Sequence, residues 1–145
     1  MRHIIFRGKR LDNGEWMYGD LIENQGRFFI YHATSETTIE DNDDRRIVVA
    51  AFEVDPATVG QYTGLKDKKW TMIFEGDILL LSDGKSHSED VVVEHGLYGW
   101  TFYNPQTATF YSDGSHTYIA VENCRFMFGT GVVIGNIHDH PDLLK

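Results

Sequence analysis

At 145 residues, with 41% hydrophobic and 24% charged side chains, the chain has the size and composition of one folded domain rather than a disordered segment. Its net charge is -9, and residues 76–145 hold three Lys and Arg against nine Asp and Glu. That excludes a duplex-binding surface there, because such surfaces need clustered cations to displace counterions from phosphates. Cys124 is the only cysteine, which excludes an intrachain disulfide. The longest apolar runs, such as ILLL at 78–81, fall far short of the ~20 residues that span a bilayer.

Val, Ile and Thr number 32 against 15 Leu and Ala. β-Branched side chains lose χ1 freedom against a helical turn but pack well on a pleated surface, so the chain is expected to be mainly β. Near the start, Asn13-Gly14 between IIFRGKR and EWMYGDLI predicts a two-residue hairpin turn. Gln25-Gly26 predicts another turn, followed by a strand from Arg27 to Tyr31. SETTIEDNDDRR (35–46) reads as an exposed acidic loop, and RIVVAAFEV (46–54) as a buried strand.

In VDPATVGQY (54–62), Asp55 can cap a helix, Pro56 suits its first position and Gly60 can close it in the left-handed region. One short helix is therefore expected near 55–60. Strands are expected at 70–74, 77–81, 90–94, 100–103, 107–111, 117–121 and 131–137, with Gly135 permitting a bulge. Asp83-Gly84, Gly96, Asn104-Pro105 and Asp113-Gly114 supply turns between them. Short strands at this spacing predict small barrel-like or sandwich-like lobes, the C-terminal one SH3-like. The whole of 1–145 reads as one domain with two β lobes, about 1–54 and 55–145.

Gly-Asp occurs twice, at Gly19-Asp20 and Gly76-Asp77, each after an apolar run and before an apolar pair. Neither aspartate has a neighbouring His or second carboxylate to shift its pKa, so both read as structural corners rather than an acid/base pair. His138 and His140 of HDHP would share one face of an extended segment, a usable metal-ligand spacing. The other histidines are scattered, so no metal is assigned and no cofactor expected. Cys124 beside Arg125 and the pair Ser115-His116 fail as reactive couples, because adjacent residues of a strand face opposite sides. GKS (84–86) lacks the upstream glycine of a phosphate loop. GTGVVIG (129–135) is followed by too few residues for a dinucleotide-binding unit. No complete catalytic constellation is present, and the chain reads as non-enzymatic.

What remains is surface. The one basic cluster, Arg7, Lys9 and Arg10 with Arg2, could contact acidic partners or phosphates. Nineteen aromatics include Trp16 and Trp70, which would mark a contact surface if exposed.

The segments IIFRGKRLDNGEWMYGDL, VDPATVGQYTGLKDK, FEGDIL and VVIGNIHDHPDLL, in that order, resemble the YopX family of phage and prophage proteins. The resemblance implies a small cytoplasmic accessory protein that assembles with copies of itself, and it carries over no catalytic residue. The signature positions are Tyr62, Thr63, Gly64, Leu65, Asp67, Gly76 and Asp77, all compatible with turn and strand roles. The chain departs from the pattern after Asp67, where KKWTMI (68–73) stands in place of an Asn-Gly hairpin; a looser turn with Trp70 at its edge is expected. The resulting expectation is a non-enzymatic, self-associating phage or prophage binding module that contacts a phage or host protein. The alternative is a nucleic-acid-binding module that uses FRGKR.

Overall fold

The computed structural model describes residues 2–32, 50–82, 84–97, 99–119 and 130–145. The protein is mainly β, as its β-branched composition requires, and it divides into two compact units, Met1–Gln61 and Tyr62–Lys145. The expected loop at 35–46, most of the strand at 46–54 and Cys124-Arg125 lie outside the described residues.

In the first unit, β1 (Phe6–Lys9), β2 (Trp16–Asn24), β3 (Arg27–His32) and β4 (Ala50–Val54) form an antiparallel meander. The two-residue turn forms at Gln25-Gly26, where both φ values are positive (53° and 76°), and it joins the pair Asn24 and Arg27. The expected tight turn at Asn13-Gly14 is instead a longer loop. The last strand pair there is Lys9 with Trp16, and only Gly14 adopts positive φ. Asn13 satisfies the loop locally, its side-chain oxygen accepting from the Glu15 amide at 2.9 Å.

Gly19-Asp20 is likewise no corner, because both residues lie inside β2. Gly19 is needed for close approach: a Cβ there would sit 2.0 Å from the Tyr31 carbonyl oxygen. Ile30 and Val54 are fully buried, and Gly8 allows β1 to pass against Val54. The sheet does not close into a barrel, although Arg10 makes a single bridge to Val54.

Asp55 and Pro56 start a helix as expected, but it is one 3₁₀ turn, Pro56–Thr58, with the Ala57 amide donating to Asp55 Oδ1 at 3.0 Å. Gly60 does not close it in the left-handed region; it begins β5 (Gly60–Lys66), a strand that the turn-rich sequence concealed. β5 pairs with β1 through Gly60 and Gln61, then carries the chain into the second unit.

There, β5 pairs with β6 (Met72–Phe74), and a four-stranded antiparallel sheet has the order β10-β7-β8-β9. Its strands are β7 (Asp77–Ser82), β8 (Ser88–Gly96), β9 (Gly99–Tyr103) and β10 (Val132–Asn136). Leu79 and Leu81 of β7 and Val91 and Val93 of β8, at alternate positions, form its core with Ile73 of β6 and Phe102 of β9. Each such side chain contributes roughly 1.5–3 kcal/mol by leaving water.

Gly76-Asp77 is a true corner. Gly76 has φ 83°, and Asp77, 2% exposed, accepts the Phe74 amide at 2.8 Å. The register shift at Val133/Gly135 places the expected bulge in β10. The strands expected at 107–111 and 117–121 do not form among the described residues. Residues 104–119 make an irregular arm held by the single bridge Phe110–His116 and by the Ile119 amide donating to the Phe102 carbonyl at 2.9 Å. Short polar side chains stabilise turns here in preference to a ladder: Asn104 accepts from the Gln106 amide, and Asp113 from the Ser115 amide. Among the described residues no helix is long and apolar enough to cross a membrane.

Candidate binding site

β5 carries extra residues opposite β6, because Tyr62 pairs with Phe74 and Lys66 with Met72. The excess is absorbed at Gly64, whose φ is 85°. Thr63 secures it, donating its hydroxyl to the Ile73 carbonyl at 2.9 Å and accepting the Leu65 amide at 3.2 Å. The turn that follows is organised by Asp67, 6% exposed. Its Oδ1 accepts from the Lys69 and Thr71 amides, each at 2.8 Å, and its Oδ2 from the Val133 amide of β10 at 2.9 Å. Burial pushes this carboxyl up. The Val133, Thr71 and Lys69 amides and the Thr71 hydroxyl together outweigh that and hold it below its ordinary value.

A carboxylate so fixed leaves the rest of the turn on display. Lys66, Lys68 and Lys69 are exposed, Leu65 is 43% exposed and Trp70 79% exposed. Trp70 has φ 66°, a left-handed conformation uncommon for a bulky side chain. The Lys66 ammonium lies 5.6 Å from its ring centroid. Tyr62, Gly64, Leu65, Lys66, Asp67 and Trp70 line an open cleft of about 370 Å³, with the buried Tyr62 ring 5.6 Å from that of Phe74. Five of the seven signature residues thus build one hairpin, and four of those five line its cleft. Gly76 and Asp77 form the next corner instead.

The basic candidates lie in the first unit, and their charges are engaged locally. Arg7 is buried with its guanidinium 4.7 Å from the Trp16 ring, and Lys9 approaches the same ring at 5.5 Å. Arg10 lies over Phe52 at 4.2 Å and forms a forked pair with Asp12, its Nε donating at 2.8 Å. That pair raises the Arg10 pKa and lowers that of Asp12.

His138 and His140 are not on an extended segment. Asn136 folds IHDH into a turn by accepting the His138 and Asp139 amides, and His140 Nδ1 faces the Asn136 amide at 3.3 Å. Among the described residues no group of three His, Cys, Asp or Glu is placed to hold a metal ion.

One titratable cluster escaped the sequence reading. His116 Nε2 lies 2.9 Å from Glu94 Oε2. Its ring centroid is 4.1 Å from Tyr103, 4.6 Å from Tyr118 and 5.4 Å from Phe110. Burial first, and then the Glu94 charge, push Tyr103 up; Tyr118 is raised by burial, by its hydrogen bond to Glu94 and by that charge. His116 Nδ1 faces the Thr117 carbonyl at 3.2 Å. Ser115 turns instead to Asp113, donating at 2.6 Å. The residues come together through the β8–β9 hairpin and the returning arm, a relation with no local sequence signal.

Fold and site together define a two-unit antiparallel β protein that presents an open cleft lined by Tyr62, Lys66 and Trp70 on one hairpin. Residues 5–145 match the family described as YopX protein, essentially the whole chain, and the chain belongs to that family. Among solved structures it is similar to protein EF1440 from Enterococcus faecalis, at 20% identity over 100% of both chains and a TM-score of 0.53, a likeness of fold. No curated protein matches it.

Proposed function

We propose that this is a non-enzymatic accessory module of phages and prophages, acting in the cytoplasm, that self-associates and contacts another protein through its side-chain surface. The observation that carries the reading is Trp70, held 79% exposed in a left-handed turn beside an open cleft. Exposed aromatics with aliphatic neighbours are the usual anchors of protein contacts. The two buried signature carboxylates serve the backbone: Asp67 accepts the Lys69, Thr71 and Val133 amides, and Asp77 accepts the Phe74 amide. His116 packs among the Tyr103, Phe110 and Tyr118 rings. The nucleic-acid alternative relies on FRGKR, where Arg10 is paired with Asp12 and Arg7 is buried, and it is the lesser reading.

Light scattering coupled to size exclusion tests the proposal. The wild type should run as an oligomer, and Trp70→Gly should shift it toward smaller species. A wild-type monomer across the accessible concentration range would refute self-association.

A further inference from the structure

We propose that the Trp70 cleft is a docking site for an acidic peptide segment carrying one apolar anchor side chain. This rests on Trp70 being contact surface, as above, and adds the chemistry of the partner.

Three observations carry it. First, the turn concentrates charge of one sign. Lys66, Lys68 and Lys69, three of the thirteen Lys and Arg residues in a chain of net charge -9, are exposed within four positions. The acid among them, Asp67, is buried, and its oxygens are occupied by backbone amides. An approaching ligand therefore meets the Lys66 ammonium at the cleft and exposed Lys68 and Lys69 on the same turn, a surplus of positive charge even with the buried Asp67 counted.

Second, the cleft is lined by Tyr62, Leu65 and Trp70 as well as by Lys66, and its volume of about 370 Å³ admits one large apolar side chain. Third, Trp70 occupies a left-handed backbone position that a glycine would take without strain. At 79% exposure its ring recovers little burial within the chain, so the strain is not offset there and an external contact is the natural compensation.

The charge pattern also selects among anionic ligands. A nucleic-acid strand extending beyond this turn would enter the field of a molecule with net charge -9, whereas a short acidic segment ends within reach of the three lysines.

The test uses the full chain and three fluorescent probes at low ionic strength: a peptide with one leucine among glutamates, the same peptide with glutamines, and a single-stranded oligothymidylate. Anisotropy should show the acidic peptide binding about tenfold or more tightly than the neutral one. Binding should fall at least about tenfold in Lys66→Glu/Lys69→Glu and in Trp70→Gly, and should weaken with added salt. These side chains are exposed, and circular dichroism should confirm an unchanged fold. Equal binding of the neutral peptide, tighter binding of the oligonucleotide, or no binding of the acidic peptide would each overturn the proposal. Light scattering on the same samples separates the two readings. A monomer that binds the acidic peptide sinks self-association alone, and an oligomer that ignores the peptide sinks this inference alone.

Discussion

Asp67→Asn is the most informative single change, because it alters charge while keeping size and one acceptor oxygen. The wild-type carboxylate receives the Lys69, Thr71 and Val133 amides. An asparagine can keep its carbonyl toward Lys69 and Thr71, but it then turns an NH2 toward the Val133 N–H, donor against donor. Hydrogen bonds to charged groups contribute about 1.5–3 kcal/mol each, and the two retained bonds lose their charge assistance. The first two amides belong to exposed residues, where water replaces part of the loss, so the expected destabilisation is about 2–3 kcal/mol. Urea unfolding at neutral pH measures it directly, and the melting temperature should fall by roughly 5–10 °C.

The sign of the pH dependence follows from the depressed folded-state pKa of Asp67 against its ordinary 3.8. Stability from the ionised carboxyl is present above that ordinary value and is lost as pH falls through the lower folded value. The gap between wild type and Asp67→Asn should therefore be full at neutral pH and narrow in acid. A difference under about 0.5 kcal/mol at neutral pH, or one unchanged in strong acid, would refute the assignment of Asp67 as the organiser of this turn.

Trp70→Gly should leave urea stability unchanged or raise it by about 1 kcal/mol, since glycine relieves the left-handed strain while Trp70→Ala retains it. Gly19→Ala should cost about 3 kcal/mol or more, read from the same unfolding curves, because its Cβ would overlap the Tyr31 carbonyl oxygen. Ultraviolet titration should find Tyr103 and Tyr118 ionising above the ordinary 10.0, and Glu94→Gln should lower both part of the way, burial remaining the first cause in each.

The β class, the turn at Gln25-Gly26, the Asp55-Pro56 helix start and the Gly76-Asp77 corner are legible because each is a local backbone preference expressed within a few residues. Where the reading failed, either a partner on another strand or a competing local side-chain contact decided the conformation. Gly19-Asp20 looks like Gly76-Asp77 in sequence. However, the Gly19 conformation is fixed by the Tyr31 carbonyl on the next strand, so it stays in β2. TFYNPQTATFYSDGSHTYI alternates well enough to predict two strands, yet Asn104 and Asp113 fold it locally and only one bridge survives. At the candidate site, the signature residues marked the place and the missing Asn-Gly marked Trp70 as unusual. That Asp67 would reach the β10 backbone at Val133 is written nowhere near either residue.

The edges of the second unit constrain how it can be recognised. An open edge strand invites pairing with another chain. Here the β10 edge is engaged at several points: Val133 donates to Asp67, the preceding Gly131 carbonyl accepts the Lys68 amide, and the Asn136 amide faces His140. On the opposite edge, the arm returning after His116 places the Ile119 amide on the Phe102 carbonyl of β9. Partners that add a strand would have to displace these contacts, whereas partners that read side chains need displace nothing. The same Asp67 that closes one edge also fixes the turn that presents Trp70 and its lysines. Closure of that edge and the geometry of the turn are therefore coupled through one carboxylate. If the proposed docking site is correct, Asp67→Asn should weaken binding of the acidic peptide, read by the same anisotropy assay, even when circular dichroism shows the unit folded.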